Sequence, residues 1–380
     1  MQNKVINVFY HGNKVGRVAM TDTRCCAFEY DKAWLSDGFS ISPFKLPLEK
    51  KVFIANTGPF DGNFGVFNDS LPDGWGRMLI DRMLVKKGVN PAQVSILDRL
   101  AIVGTSGMGA LEYKPETILS TASVTTNDIN KLAEEAHNML NENTCTENAL
   151  DDLLKLAGAS GGARPKVLLR IDNESWLIKF CALSDPKNMG KQEYEYSIIA
   201  KKCGINMPET RLFKNKYFGV ARFDRKPNGE RVFVLSASGL LESSHRYPSL
   251  DYVDLLNATL KLTKSYAEME KMFRIMCFNV FAHNRDDHSK NFSFLYDNNS
   301  WIVSPAYDLV YAEGMGGEHA TTINGEGKKP NETDIINIAE KVGLNLNRTK
   351  HILSTIKTYI YQLPPAPHKH SNFPPTHPDI

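Results

Sequence analysis

Nothing in this 380-residue chain approaches the run of about 20 apolar residues that a membrane-spanning helix needs. The first dozen residues alternate as a strand does and lack the layout of a secretory signal, so a cytoplasmic protein is expected. Charge of one sign is missing too. Lys plus Arg number 45 against 43 for Asp plus Glu, a net charge of +2, so bulk electrostatics neither demand nor exclude nucleic acid. Cysteine is sparse and scattered (Cys25, Cys26, Cys145, Cys181, Cys203, Cys277) with no C-x-x-C pair. That pattern argues against a zinc or disulfide framework and for reduced thiols. There is no internal repeat. Neither G-x-x-x-x-G-K-[ST] nor G-x-G-x-x-G occurs, which disfavours a P-loop NTPase and a Rossmann dinucleotide fold. What remains, 42% hydrophobic and 23% charged residues, suits a soluble globular protein of two or three domains or one bilobal unit.

Three hairpins punctuate the chain. The first joins 5–10 to 15–20 through His11-Gly12-Asn13, the second joins 166–171 to 176–180 through Asp172-Asn173-Glu174, and the third joins 292–296 to 301–303 through Asp297-Asn298-Asn299. Apolar periodicity predicts helices over 78–86, 90–103, 127–156 and 192–203, and a mostly helical stretch from 250 to about 362. The tail 364–380 holds six of the 19 prolines and three of the ten histidines, has little to bury, and reads as a flexible end. The domains expected are an α+β accessory unit over 1–115, a nucleotide-binding lobe over 116–250 and a helical catalytic lobe over 251–363.

The densest chemistry lies in His283-Asn284-Arg285-Asp286-Asp287-His288-Ser289-Lys290-Asn291. Asp286 and Asn291 have the R-D-x-x-x-x-N spacing of a kinase catalytic loop, in which the Asp orients or deprotonates the attacking hydroxyl and the Asn holds Mg²⁺. A hairpin follows, and after it a second acid, Asp308, stands where a protein kinase places its metal-binding D-F-G Asp. Upstream, Gly158-Ala159-Ser160-Gly161-Gly162 is a loop able to present backbone N–H groups to phosphates. Lys179 ends an apolar strand. It is either an edge residue facing water or a phosphate-binding Lys paired with Glu193 or Glu195 on the next helix. Val220 to Arg225 forms either an adenine-binding hinge or a strand end with a surface Asp224–Arg225 pair.

Together the segments LPDGWGRMLIDR (71–82), GGARPKVLLR (161–170), WLIKF (176–180), VARFDR (220–225), NRDDHSKNFSF (284–294) and SPAYDLV (304–310) resemble the HipA family of serine/threonine kinase toxins of bacterial type II toxin–antitoxin systems. The resemblance implies an α+β, bilobal protein-kinase-like fold with an N-terminal accessory subdomain. It implies Asp286 as the catalytic Asp, with Lys290 reaching the transferring phosphate, and Asn291 and Asp308 as Mg²⁺ ligands. Lys179, Ser160, Gly161 and Gly162 would contact ATP, the backbone of Ala221 and Phe223 would receive adenine, and Asp224 would lie near the ribose. The family's autophosphorylated Ser falls on Ala159 or Ser160, and Ser160 is the only hydroxyl in the loop. Family members phosphorylate aminoacyl-tRNA synthetases and pair with a helix-turn-helix, HipB-like antitoxin that binds operator DNA.

The expected reaction is therefore transfer of the ATP γ-phosphoryl group to a protein Ser or Thr, with Mg²⁺. Two rivals stand beside it. One is a metal hydrolase using His283, Asp286, Asp287 and His288 as ligands. The other is a pseudokinase that binds an antitoxin and DNA without turnover.

Overall fold

The computed structural model describes residues 3–141, 146, 148–158 and 160–363. Cys145, Ala159 and the Pro/His-rich tail, each singled out in the sequence, lie outside the described residues. Strands β1 (Val5–Tyr10), β2 (Asn13–Met20) and β3 (Cys26–Tyr30) form an antiparallel meander. Helix α1 (Lys32–Asp37), strand β4 (Val52–Ile54) and helices α2 (Gly65–Asn68), α3 (Gly74–Lys86) and α4 (Ile96–Val103) follow, and β5 (Leu111–Lys114) returns to pair with β1. The sheet order is β4-β3-β2-β1-β5. Its buried side carries Ile6, Val8, Val15, Val18 and Phe28, the period-2 pattern of a half-buried sheet.

Helices α5 (Ile129–Leu140) and α6 (Ala149–Ala157) precede a four-stranded sheet. That sheet is built of β6 (Lys166–Ile171), β7 (Glu174–Lys179), β8 (Thr210–Phe213) and β9 (Tyr217–Ala221) in the order β6-β7-β9-β8, with α7 (Met189–Lys202) between β7 and β8. The rest comprises β10 (Phe233–Ser236), α8 (Ala237–Leu241), β11 (Leu250–Asp251), α9 (Tyr252–Thr263), α10 (Tyr266–Phe281), β12 (Ser293–Asp297), β13 (Ser300–Val303), β14 (Thr321–Thr322), α11 (Glu332–Lys341) and α12 (Leu346–Ile360). Strand β10 pairs with β12 and not with the β6–β9 sheet.

All three hairpins form, each on a two-residue loop with positive φ at both positions: His11 and Gly12, Asp172 and Asn173, Asn298 and Asn299. Such loops match the right-handed twist of the flanking strands, and Asn, Asp and Gly tolerate them best. The long helical periodicities break where local chemistry intervenes. The stretch 127–156 divides into α5, capped by Asp128, and α6. The stretch 90–103 starts as a 3₁₀ turn at Pro91 and becomes α-helical only after Ser95 caps it. Between α10 and α11, residues 282–331 hold the β12–β13 hairpin, strand β14, two short 3₁₀ turns and irregular loop, with no α-helix.

One apolar core runs from the N-terminal sheet through Tyr196, Ile199 and Ala200 of α7 into α9, α10 and α12. A second lies under β6, β7 and β9, where Trp75 and Leu79 of α3 pack with Leu132, Leu153 and Trp176. Helix α3 thus belongs to the N-terminal segment by sequence and to the β6–β9 layer by packing. Among the described residues no helix is long and apolar enough to cross a membrane. The five described cysteines are free thiols.

Candidate active site

The chain leaves α10 through His283, whose φ of 53° turns it sharply. Asn284 then bridges to Ala312, and its amide donates to Asn279 Oδ1 at 3.0 Å. Asp287 is wholly buried. Its carboxylate accepts from Tyr252 OH (2.8 Å), His319 Nδ1 (2.9 Å) and the backbone N–H of Ala320 (2.8 Å). A buried carboxylate so fully satisfied is an anchor, and it fixes the loop so that the preceding residue faces outward. Asp286 is that residue, with 66% of its side chain exposed. The surrounding protein disfavours its ionised form, His288 opposes this and Asp308 adds to it, and the net effect raises its carboxyl above the usual range. Asn291 Nδ2 donates to the Asp286 carbonyl at 2.7 Å, which turns its Oδ1 to the other side of the amide.

This arrangement undoes the metal-hydrolase alternative. Asp287 points inward and is consumed by hydrogen bonds, while His283 and Asp286 are exposed. No group of three His, Cys, Asp or Glu among the described residues is placed to hold a metal ion.

Hairpin β12–β13 carries the chain to Asp308, which adopts φ 53°. The Asp308 carboxylate contacts the Lys179 ammonium, which also lies 3.0 Å from Glu193 Oε2. Between the two glutamates the sequence offered, the structure selects Glu193, which is buried; Glu195 faces Lys191 instead. Burial alone would push Lys179 down, but Asp308 and Glu193 raise it. In turn, burial disfavours ionised Asp308, yet the Lys179 ammonium outweighs it and holds the carboxyl at about 2. Arg164 braces the same point, 3.3 Å from Glu193 Oε1 and bidentate on Asp185 at 2.8 and 3.2 Å.

Three cleft residues escaped the sequence reading: Lys166, Arg164 and Asp73. Lys166 stands opposite Lys179 in the β6–β7 register and bonds the Gly161 carbonyl. The glycine loop is closed from the other side by the N-terminal segment. Trp75 N–H donates to the Gly162 carbonyl at 3.1 Å, and Gly162 N–H donates to Asp73. Asp73 Oδ2 also accepts from Lys290 Nζ at 2.9 Å. Ser160 lies in this loop at 8% exposure, its hydroxyl buried without a hydrogen-bond partner.

The hinge segment is more occupied than the sequence suggests. Ala221 N–H donates to the Glu209 carbonyl at 2.8 Å. Phe223 packs against Tyr307, with ring centroids 5.7 Å apart. Asp224 is buried. It accepts from Arg222 at 2.8 and 2.7 Å, from Arg225 at 2.8 Å and from Gly109 N–H at 2.8 Å. Its carboxylate therefore ties the 107–109 loop to the hinge, and it is not the surface pair that the sequence left open.

The model of the HipA-like C-terminal domain matches residues 158–363, and that of the HipA N-terminal domain matches 6–114. The chain belongs to the HipA family. It is 26% identical over 344 residues to a putative kinase of Sinorhizobium fredii, covering 82% of this chain and 78% of that one. Against the serine/threonine-protein kinase toxin HipA of Shewanella oneidensis it is 25% identical over 321 residues, covering 75% and 69%. A further Sinorhizobium fredii putative kinase matches over 164 residues only, so the chain spans 39% of that relative's length. The solved structure of Shewanella oneidensis HipA, with HipB and operator DNA, superposes with a TM-score of 0.68 at 19% identity, over 95% of this chain and 92% of that one. The fold is thus the α+β, kinase-like fold of HipA.

Proposed function

We propose that the chain is an ATP- and Mg²⁺-dependent serine/threonine protein kinase that acts as a toxin on a translation component, an aminoacyl-tRNA synthetase. Supporting this most is one meeting point. Lys179 reaches Glu193 and Asp308 together, and the loop carrying Asp286 and Asn291 adjoins it. In this reading Lys179 and Lys166 hold the ATP phosphates, and the glycine loop supplies the Gly161 N–H, while the Gly162 N–H, which the resemblance also assigns to ATP, is taken by Asp73. Asp286, its carboxyl raised, orients the acceptor hydroxyl and takes its proton. Most of the rate enhancement is positioning and charge neutralisation.

The residues present fit Mg²⁺. Asp308 and Asn291 offer hard oxygen donors, and 42% of the Asp308 side chain stays open to the cleft. A bound Mg²⁺ would neutralise charge on the ATP phosphates. A pocket beside Asp286, lined by His245, Arg246, Tyr247 and Met315, is the approach for the acceptor segment.

Ser160 is the self-modified hydroxyl in this reading. Residues 1–115, 116–250 and 251–363 act as accessory, nucleotide and catalytic units. The Shewanella oneidensis HipA structure contains HipB and operator DNA; a helix-turn-helix antitoxin and its DNA are the corresponding partners here. Incubation with labelled ATP and a panel of synthetases, with and without chelator, tests the proposal. Label on a synthetase, lost with chelator and in Asp286→Ala, is expected. No transfer to any protein, self or substrate, overturns it.

A further inference from the structure

The N-terminal segment sends one carboxylate into the phosphoryl-transfer centre. Asp73, just before α3, lies 217 residues from Lys290 in sequence, yet its Oδ2 accepts the Lys290 ammonium at 2.9 Å. Its Oδ1 accepts the Gly162 N–H of the glycine loop. The two contacts use both oxygens on the two groups that the kinase reading turns toward the transferring phosphate. The site is tight. Lys290 is 16% and Asp73 23% exposed at the side chain, and a Cβ added at Gly161 would sit 3.2 Å from Asp73 Oδ1. Backbone geometry holds Asp73 in place. Gly74 takes φ 42° against the backbone of Gly162 and Ala163, where a Cβ would meet atoms at 2.6 Å, and Trp75 N–H clasps the Gly162 carbonyl. Trp75 is itself fixed by its indole N–H to the Lys166 carbonyl at 3.1 Å.

We infer that Asp73 is a positioning residue for phosphoryl transfer: it sets the Lys290 ammonium and the glycine loop in one geometry, so the N-terminal unit completes the catalytic centre. This rests on the kinase reading. A free Lys side chain samples many rotamers, and one held by a half-buried carboxylate samples fewer; a misplacement of about 1 Å at a reacting centre costs on the order of 10²-fold in rate. The two oxygens have separable duties. Asp73→Asn keeps an oxygen for Gly162 N–H and gives up the ion pair. Asp73→Ala gives up both.

The experiment is a double-mutant cycle of Asp73→Asn with Lys290→Met, measured on the full chain as kcat and KM for ATP. Hydrogen–deuterium exchange across 160–165 and thermal unfolding are recorded beside it. Expected for Asp73→Asn is a kcat lower by about 10- to 100-fold with the KM for ATP little changed. In the Lys290→Met background the same substitution adds no further loss. Asp73→Ala raises the KM for ATP as well and speeds exchange of the loop amides. Losses that multiply in the cycle, a faster Asp73→Asn enzyme, or unchanged loop exchange in Asp73→Ala each overturn the inference. The parent chain beside Asp286→Ala reports on the kinase reading separately. The exchange arm needs no turnover, so the two failures stay distinct.

Discussion

Lys166 and Lys179 face each other across the β6–β7 ladder, yet only Lys179 has carboxylates at its ammonium. The two lysines are driven apart accordingly. Asp308 and Glu193 raise Lys179 against its burial. Lys166, 4% exposed, is lowered from 10.5 to about 8, by burial first and by the Lys179 charge second. A pair of ammonium groups in one cleft suits a polyanionic ligand, whose negative charge would offset both the desolvation and the repulsion.

The unliganded protein carries the cost. A depressed lysine binds its proton more weakly folded than unfolded, so the penalty is fully present below pH 8 and lifts as pH rises from about 8 toward 10.5. Across that window the difference is on the order of 3 kcal/mol. Lys166→Met is expected to be more stable than the parent at pH 7, with the gap closing by pH 10.5, while its affinity for ATP falls. Denaturant unfolding of both proteins at a series of pH values checks this. A constant gap would mean that Lys166 is not titrating in the window.

Asp286 gives the second prediction. Asp286→Asn should lose about 10²- to 10⁴-fold in phosphoryl transfer while still binding ATP. Because its carboxyl is raised, the acid limb of kcat/KM should lie above the ordinary aspartate pKa, the enzyme gaining activity as pH rises through the limb and Asp286 ionises. His288, 4.0 Å away, is the nearest influence opposing that rise. His288→Gln should therefore move the limb to higher pH. A limb that moves down or stays fixed would separate the two residues.

The neighbouring acid behaves differently. Asp287 holds four donors, from Tyr252, His319 and the Ala320 and Thr321 backbone. Asp287→Ala strands buried donors and should cost about 3–5 kcal/mol, the scale for breaking a buried charged network. The loss should appear in thermal unfolding of the metal-free protein. Chelator should leave the parent's melting temperature in place. A parent destabilised by chelator would bring Asp287 back as a metal ligand.

How much of this was legible in the sequence follows from range. The three hairpins depend on two-residue loops whose own side chains favour positive φ, and those are local. Asp286, Asn291 and Asp308 were visible because a fixed spacing and an intervening hairpin carry them. Lys166 was readable in principle. Once Asp172 and Asn173 form the turn, Ile171 pairs with Glu174, and the ladder sets Lys166 against Lys179. Asp73 had no such signal: its partners are the loop and Lys290, and only tertiary packing of α3 against the β6–β9 layer brings them together. Apolar periodicity overstates the helices at 90–103 and 127–156 because it continues past a cap or a proline, where backbone hydrogen bonding does not.

Ser160 carries the last prediction. Its hydroxyl is buried and unpartnered, and its carbonyl lies under Gly76, where an added Cβ would sit 2.8 Å away. A buried hydroxyl without a partner costs free energy, so this seat of the loop holds a small reserve of instability. A phosphate adds about −1.5 to −2 charges and three oxygens, which the enclosed position does not accommodate. Modification of Ser160 therefore requires the loop to leave the cleft and keeps it out, removing the Gly161 donor and breaking the Gly162 bond to Asp73, and so opposing ATP. After incubation with ATP, mass spectrometry should place phosphate on Ser160 in the parent and none in Asp286→Ala. The modified protein should bind ATP at least about tenfold more weakly, and a protease should cut it faster within 160–165. Ser160→Ala, which removes the unpaired hydroxyl and keeps the backbone, should be as stable as the parent or more so and should retain transfer to an external protein. Phosphate on another residue, or phosphorylated Ser160 with unchanged ATP affinity, would show that the loop does not govern nucleotide entry in this way.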